Sequence, residues 1–193
     1  GDAGRMEGPL QLPTIPPEHD GVRLRAFAGR DVPMLRDLSR DPYVPLTGTL
    51  PGHTDEAGAL TYIERQHERW DTGAGFSFCA ALTSSDVAVG QAGLWLHHWS
   101  EGRASAGYAI APSHRGRGLA TRALTALTGF AWSLERIDRI ELYIEPWNVA
   151  SEHTARAAGY EREGLLPGHQ EIGGRRADML LYTIRRPARS EAP

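Results

Sequence analysis

The chain contains no lysine: all 21 basic residues among its 193 are arginine. That excludes a phosphate loop of the GxxxxGK[ST] type, Schiff-base lysine chemistry and attachment of pyridoxal phosphate. Cysteine occurs once, at Cys79, so neither an intramolecular disulfide nor a cysteine-built zinc cluster can form. No apolar run approaches the ~18 residues of a membrane span, and the N-terminal stretch lacks the apolar core of a secretory signal. Formal charge is only −3, too small and of the wrong sign for a surface that grips nucleic acid or acidic lipid. The expectation is a cytoplasmic protein with no nucleic-acid or membrane partner.

What is present is an ordinary globular composition. Hydrophobic residues make up 40% and charged residues 23%, enough to bury one sizeable core without a structural metal. Residues 1–20 are dense in glycine and proline and read as a flexible N-terminal tail. Residues 186–193 read as a C-terminal tail, which leaves one domain over 21–185.

Alternating apolar residues predict strands near 22–26, 76–82, 87–97, 103–111, 140–144 and 179–184. Asp31 ahead of Val32 and Pro33 predicts an acidic cap at a helix start. Leu60, Ile63, His67 and Trp70 predict a helix over 56–70 with those side chains on one face. The stripe of Ala120, Ala123, Leu124, Leu127, Phe130, Ala131 and Leu134 predicts the strongest helix, over 119–134. Asn148 opens a short helix that ends at Gly159, and residues 164–174 read as a loop. Strands outnumber helices, so the fold class is α/β, a mixed α+β sheet domain.

The chemistry concentrates in Tyr108-Ala-Ile-Ala-Pro-Ser-His-Arg-Gly-Arg-Gly-Leu-Ala-Thr121. A strand runs into a glycine- and arginine-rich turn, and a long helix follows. Amide groups at a helix N-terminus, with the helix dipole, favour a phosphate or pyrophosphate. Gly116 and Gly118 would let the backbone approach such a ligand, and Arg115 and Arg117 could add charge-assisted hydrogen bonds. The dinucleotide fingerprint GxGxxG/A fails at Thr121. Spacing alone leaves two readings open, a phosphate cradle or a bare connection with solvent-facing arginines.

Arg115-Gly-Arg-Gly-Leu-Ala120 resembles the R/Q-x-x-G-x-G/A motif of the GNAT superfamily of acyl-CoA-dependent N-acyltransferases. Arg139-Ile-Glu-Leu-Tyr-Ile-Glu-Pro-Trp-Asn-Val-Ala-Ser151 is similar to that family's fifth strand and N-x-x-S helix start. Ala158-Gly-Tyr-Glu-Arg-Glu-Gly164 resembles the G-F/Y-x-x-E-G that follows in the family, and Gly173-Gly-Arg-Arg-Ala-Asp178 resembles the hairpin end of its RimJ/RimL branch, which acetylates protein N-termini. The resemblance implies a central, mostly antiparallel sheet, splayed between its fourth and fifth strands and flanked by helices.

It also implies a site. Arg115, Gly116, Arg117, Gly118, Leu119, Ala120 and Thr121 would bind the pyrophosphate of acetyl-CoA, the co-substrate, with no metal. The backbone of Tyr108, Ala109 and Ile110 would pair with the pantetheine arm like an added strand. The Ile110 N–H would meet the developing oxyanion. Asn148, also a plausible helix cap, would contact the pantetheine side, and Ser151 would protonate or hydrogen-bond the leaving thiolate. Many relatives place a glutamate base on the fourth strand, where this chain has Ala104, Ser105 and Ala106. The expected base is therefore Glu171, beside Gln170 in the late hairpin, with Glu145 as second choice.

The expected reaction is transfer of acetyl to a primary amine by direct attack in a ternary complex. The favoured acceptor is a protein N-terminal α-amine; a small amine such as an aminoglycoside or metabolite is the alternative, and a non-catalytic CoA-binding sensor a third. Asp37, Asp41, Asp55 and Glu56 could give a cleft an acidic lining for a polycation. A homodimer is expected only by analogy with the branch. His97 and His98 are adjacent, so on a strand they face opposite sides and cannot chelate one metal. Cys79 reads as buried filler in an apolar strand, and Trp147 as a side chain able to reach the acceptor cleft.

Overall fold

The computed structural model describes residues 9–188. Eight strands form one sheet: β1 (Glu18–His19), β2 (Val22–Arg25), β3 (Gly75–Leu82), β4 (Ala88–Trp95), β5 (Arg103–Ile110), β6 (Arg139–Ile144), β7 (Glu161–Ile172) and β8 (Arg175–Arg185). Their order across the sheet is β1-β2-β3-β4-β5-β6-β8-β7. Every pairing is antiparallel except β5–β6. The helices are α1 (Val32–Leu38), α2 (Val44–Thr47), α3 (Glu56–Thr72), α4 (Leu119–Ala131) and α5 (Val149–Ala157).

The period-2 pattern of the strands splits the core into two layers. Phe76, Phe78, Leu94, Ile140 and Leu142 meet Leu124, Leu127 and Ala131 of α4 on one face. Trp70 stands edge-on to Phe76 and Phe78 there, and its indole N–H donates to Ser77 O (3.0 Å). Cys79 and Ala111 point to the other face, against Leu35, Leu38, Tyr62 and Ile63 of α1 and α3.

Four expectations change. Helix α3 buries Ala59, Tyr62, Ile63, Gln66 and Trp70, whereas Leu60 is exposed. Its buried face is thus rotated from the predicted one, because Gln66 can be buried by bonding Ser77 Oγ (2.8 Å). Asp31 does not cap α1 with its side chain. Its carboxylate instead accepts from the Ala28 N–H and from Arg25.

Residues 164–174, read as a loop, belong mostly to the twelve-residue β7. The register of β7 against β8 shifts between Leu166 and Gln170, around Pro167 and Gly168. That irregularity, on a strand with one half-exposed face, hides its period. Finally, the stretch read as an N-terminal tail is engaged from Leu10 onward. The Leu10 N–H donates to Trp70 O (2.6 Å), and β1 pairs with β2. Residues 1–8 of that tail, and 189–193 of the C-terminal one, lie outside the described residues.

The parallel β5–β6 pairing covers three residue pairs, Arg103–Arg139, Ala104–Ile140 and Ser105–Glu141. Beyond Ser105, β5 pairs only with β4 and β6 only with β8. The sheet therefore splays between β5 and β6, as the resemblance implied.

Candidate active site

The splay leaves one edge of residues 106–110 without a neighbouring strand. The Ala111 N–H donates to Val89 O on β4 (2.9 Å). Backbone polar groups alternate sides along a strand, so the N–H and C=O of Ile110 face the opening. Arg115 confirms the direction, since its Nε donates to Ile110 O (3.0 Å). A free strand edge of this kind is a template for an extended, amide-bearing ligand.

The turn after β5 runs through a short 3-10 segment, Pro112–His114, to Gly116 and Gly118. Both glycines are left-handed, at φ 78° and 72°, and a Cβ on either would meet no atom within 4 Å. The space above them is open. Gly118 is the N-cap of the thirteen-residue α4, whose first turn has no side-chain cap and no acidic residue. Its amides are thus available to an anion, and the arrangement fits the pyrophosphate of acetyl-CoA.

The predicted loop residues contribute differently. Leu119 is buried in the core, so only its backbone faces the turn; Ala120 and Thr121 are half-buried behind it. Arg117 is exposed and its guanidinium lies 3.3 Å from His114 Nδ1. Arg115 is already engaged, bonded to Ile110 O and to Asp41 (2.6 Å). Asp41 also accepts from the amides of Tyr43 and Val44, which opens α2. Burial pushes its carboxyl up, but Arg115 and these amides outweigh burial and hold it below the ordinary carboxylate range.

On the α4 face, Asn148 does cap α5, its Oδ1 accepting from the Ser151 N–H (3.1 Å). Ser151 Oγ lies 2.9 Å from the Tyr108 hydroxyl, a contact that joins β5 to α5. Desolvation raises the Tyr108 phenol above its ordinary value, only partly offset by Ser151 and Thr154.

On the α1–α3 face, Glu145 follows Ile144, the last residue of β6, four residues on from the Glu141 that pairs with Ser105. Glu145 is half-buried. Beside it is Tyr43, whose phenol is raised by burial and then by that carboxylate. Tyr43 also packs edge-on against the exposed Trp147, at 4.9 Å between ring centroids. Tyr143 stacks on His169 at 5.0 Å, and Arg69 covers Trp95 at 4.5 Å. Gly75 and Gly93 leave room for that indole, since Cβ atoms there would meet it at 2.4 and 2.7 Å.

Glu171 is placed elsewhere in the splay's surroundings. It is exposed on β7 opposite Arg176, and among the described residues its carboxylate makes no hydrogen bond or ion pair. His97 and His98 are both exposed, with His98 near Glu101 (3.6 Å). Cys79 is fully buried, and burial raises its thiol well above the ordinary value. Among the described residues no group of three His, Cys, Asp or Glu could hold a metal ion, and no helix is long and apolar enough to cross a membrane. Sequence reasoning named Asp41 only as acidic lining, not as the partner of Arg115, and missed Tyr43 and the Tyr108 hydroxyl. The four-residue α2 is too short to show a period, and nothing local marks a tyrosine as the partner of a serine 43 residues on.

The chain matches the family described as acetyltransferase (GNAT) domain over residues 22–161. It is 26% identical over 163 residues to p20, an uncharacterized N-acetyltransferase of Bacillus licheniformis, covering 84% of this chain and 92% of that protein. Mycobacterium smegmatis RimJ, solved in complex with a CoA disulfide, superposes with a TM-score of 0.74 at 27% identity, covering 85% of this chain and 81% of that one. A ribosomal-protein-S5-alanine acetyltransferase from Vibrio fischeri shares the fold, with a TM-score of 0.70 at 17% identity over 89% of this chain and 96% of that one. The chain therefore belongs to the GNAT family and is an acetyl-CoA-dependent N-acetyltransferase.

Proposed function

We propose that the enzyme acetylates the α-amino terminus of a protein, by direct attack of the amine in a ternary complex. The observation that carries this reading is the splay itself, which leaves the Ile110 N–H open, with Ser151 bonded to Tyr108 of β5 and Glu145 beside Tyr43 just past the end of β6. The RimJ likeness supports a protein acceptor. So does the rim of the α1–α3 face, where Trp147 and Leu46 are exposed and able to cover residues that follow an N-terminus.

The co-substrate supplies an activated thioester carbonyl. The amides of Gly118 to Thr121 hold its pyrophosphate, and the open edge at Tyr108 and Ile110 aligns its pantetheine arm, with Asn148 alongside; the polar groups of Ala109, expected there too, face β4. The Ile110 N–H is fixed in a strand and needs no reorganisation to stabilise negative charge on the carbonyl oxygen. Ser151 Oγ–H hydrogen-bonds the departing sulfur. Glu145, second choice from the sequence, takes the amine proton, because it is half-buried beside Tyr43 at the splayed end of β6 while Glu171 is solvated opposite an arginine. An α-amine, with a pKa of about 8, needs less help to lose that proton than a lysine amine at about 10.4.

The test is thiol release from acetyl-CoA with N-terminal peptides, spermidine and aminoglycosides as acceptors. Turnover confined to peptides with a free α-amine is expected. Turnover only with polyamines or aminoglycosides would replace the acceptor and keep the reaction. Glu145→Gln should lower kcat about tenfold or more at pH 7, with the deficit shrinking above about pH 8 as the acceptor deprotonates unaided. If Glu171→Gln shows that behaviour instead, the proton goes to the hairpin.

A further inference from the structure

Tyr108 and Ser151 come from different elements, and the fold brings their hydroxyl oxygens to 2.9 Å. The same phenol oxygen is 3.2 Å from the Ser151 carbonyl, which can only accept. Thr154, one turn along α5, also lies beside the phenol, but both hydrogen-bond distances of the phenol oxygen are to Ser151. Two arrangements satisfy these distances. The phenol donates to Ser151 Oγ, leaving the serine proton free; or the serine donates to the phenol, and its proton is used up inside the protein.

Chemistry favours the first. A phenol is a stronger acid than an alkyl alcohol, hence the stronger donor, and desolvation keeps this phenol protonated. The neighbouring ionisable groups do not compete. Glu152, next along α5, accepts from Tyr182 (2.6 Å). Tyr160, the other phenol near Tyr108, is paired with Thr128 (2.7 Å). No carboxylate or imidazole is hydrogen-bonded to Ser151 among the described residues, so the serine has no base to make it a nucleophile. Its backbone is pinned by the Asn148 cap, and its side chain by Tyr108.

We propose that Tyr108 is a positioning residue whose hydroxyl donates to Ser151 Oγ and turns the serine proton toward the sulfur of the bound co-substrate. The inference rests on the leaving-group role of Ser151 given above. When the C–S bond breaks, its electron pair stays on sulfur and the Ser151 hydrogen bond stabilises the thiolate. The phenol polarises that hydroxyl without giving up its own proton, and no covalent bond forms to either residue. The hydrogen bond also spans the splay from β5 to α5, so the proton is oriented only when both sides of the opening are in place.

The experiment is titration of CoA bound to the protein, following the thiolate by its ultraviolet absorbance, in wild type, Tyr108→Phe, Ser151→Ala and the double variant. Melting temperature and circular dichroism check that each is folded, and Ser151→Thr serves as a variant that keeps a hydroxyl. The bound thiol should be more acidic than free CoA in the wild type. Tyr108→Phe should weaken its ionisation constant about tenfold, the size of one lost hydrogen bond to a charged centre. Ser151→Ala should abolish the effect, Ser151→Thr should retain part of it, and Tyr108→Phe should add nothing on the Ser151→Ala background. In turnover, Tyr108→Phe should lower kcat about tenfold with the KM for acetyl-CoA unchanged.

An unchanged bound-thiol constant in Tyr108→Phe would overturn the proposal, as would an equal shift with and without Ser151. In either case acetyl transfer to peptides by the wild type would leave the functional reading intact. A wild type that binds no CoA would sink both.

Discussion

Arg115 of the glycine turn sits between Ile110 O on β5 (3.0 Å) and Asp41 ahead of α2 (2.6 Å). One guanidinium thus ties the edge that would meet the thioester to the segment carrying Tyr43 and, through Tyr43, to Glu145 and Trp147. Asp37 adds a second tether, its carboxylate accepting from the Ser113 N–H (3.1 Å). On the proposed reading, residues of the co-substrate turn thereby hold the acceptor face in place.

Asp41→Ala should release the Tyr43 and Val44 amides at the start of α2 and free Arg115 from its anchor. The expected cost is about 1–2 kcal/mol of stability, the worth of a capping residue, read from urea denaturation. Because Tyr43 and Trp147 lose their placement, the KM for the acceptor should rise more than the Kd for acetyl-CoA, measured by calorimetry. Equal changes in both would mean that the two faces are not linked through this pair.

Gly118→Ala separates backbone strain from crowding. Space for a methyl group exists at Gly118, yet its φ is 72°, where a non-glycine residue costs about 1–2 kcal/mol. The variant should be less stable by that amount and should bind acetyl-CoA more weakly, because relief of the strain rotates the first amides of α4. Unchanged affinity in the folded variant would remove the turn from the pyrophosphate site.

Arg25 and Asp31 form a buried bidentate pair, with Asp31 1% exposed. Burial raises the Asp31 carboxyl, but Arg25 and the Ala28 amide outweigh burial and hold it below the ordinary range. A folded pKa below the unfolded one gives stability that is present above about pH 4 and lost as pH falls through the folded value. Asp31→Asn should cost about 2 kcal/mol at pH 7, since the part-buried Arg25 loses its bidentate partner but keeps Asp86 (2.8 Å). The gap from wild type should close as denaturation is measured at successively lower pH.

Cys79 should react with a disulfide reagent such as DTNB only on unfolding, because the thiol is fully buried and held protonated. Cys79→Ala should keep acetyl transfer, as a direct ternary mechanism requires. A burst of acetyl-enzyme, abolished in that variant, would refute direct attack.

Much of this protein was decided locally, and so could be read in the sequence. The glycines of the turn, the apolar stripe of α4, Asn148 as a cap and the order of the motifs are short-range features, each set by backbone sterics or a repeat of one element. They were enough to imply the splay and the family, and the absence of lysine excluded several other phosphate chemistries. The hairpin residues 164–174 were not legible, because β7 is stabilised by pairing with β8 across a register shift rather than by its own period.

The site's working contacts belong to the tertiary structure alone. Tyr108 meets Ser151, Asp41 meets Arg115 and Tyr43 stands by Glu145 only once the sheet has formed and splayed. Such pairs leave no periodic trace, since hydrogen bonds and ion pairs depend on distance in space while propensity and pattern report only neighbours along the chain. The ranking of Glu145 above Glu171 arose in the same way, from burial and the approach of Tyr43 that no spacing in the sequence encodes.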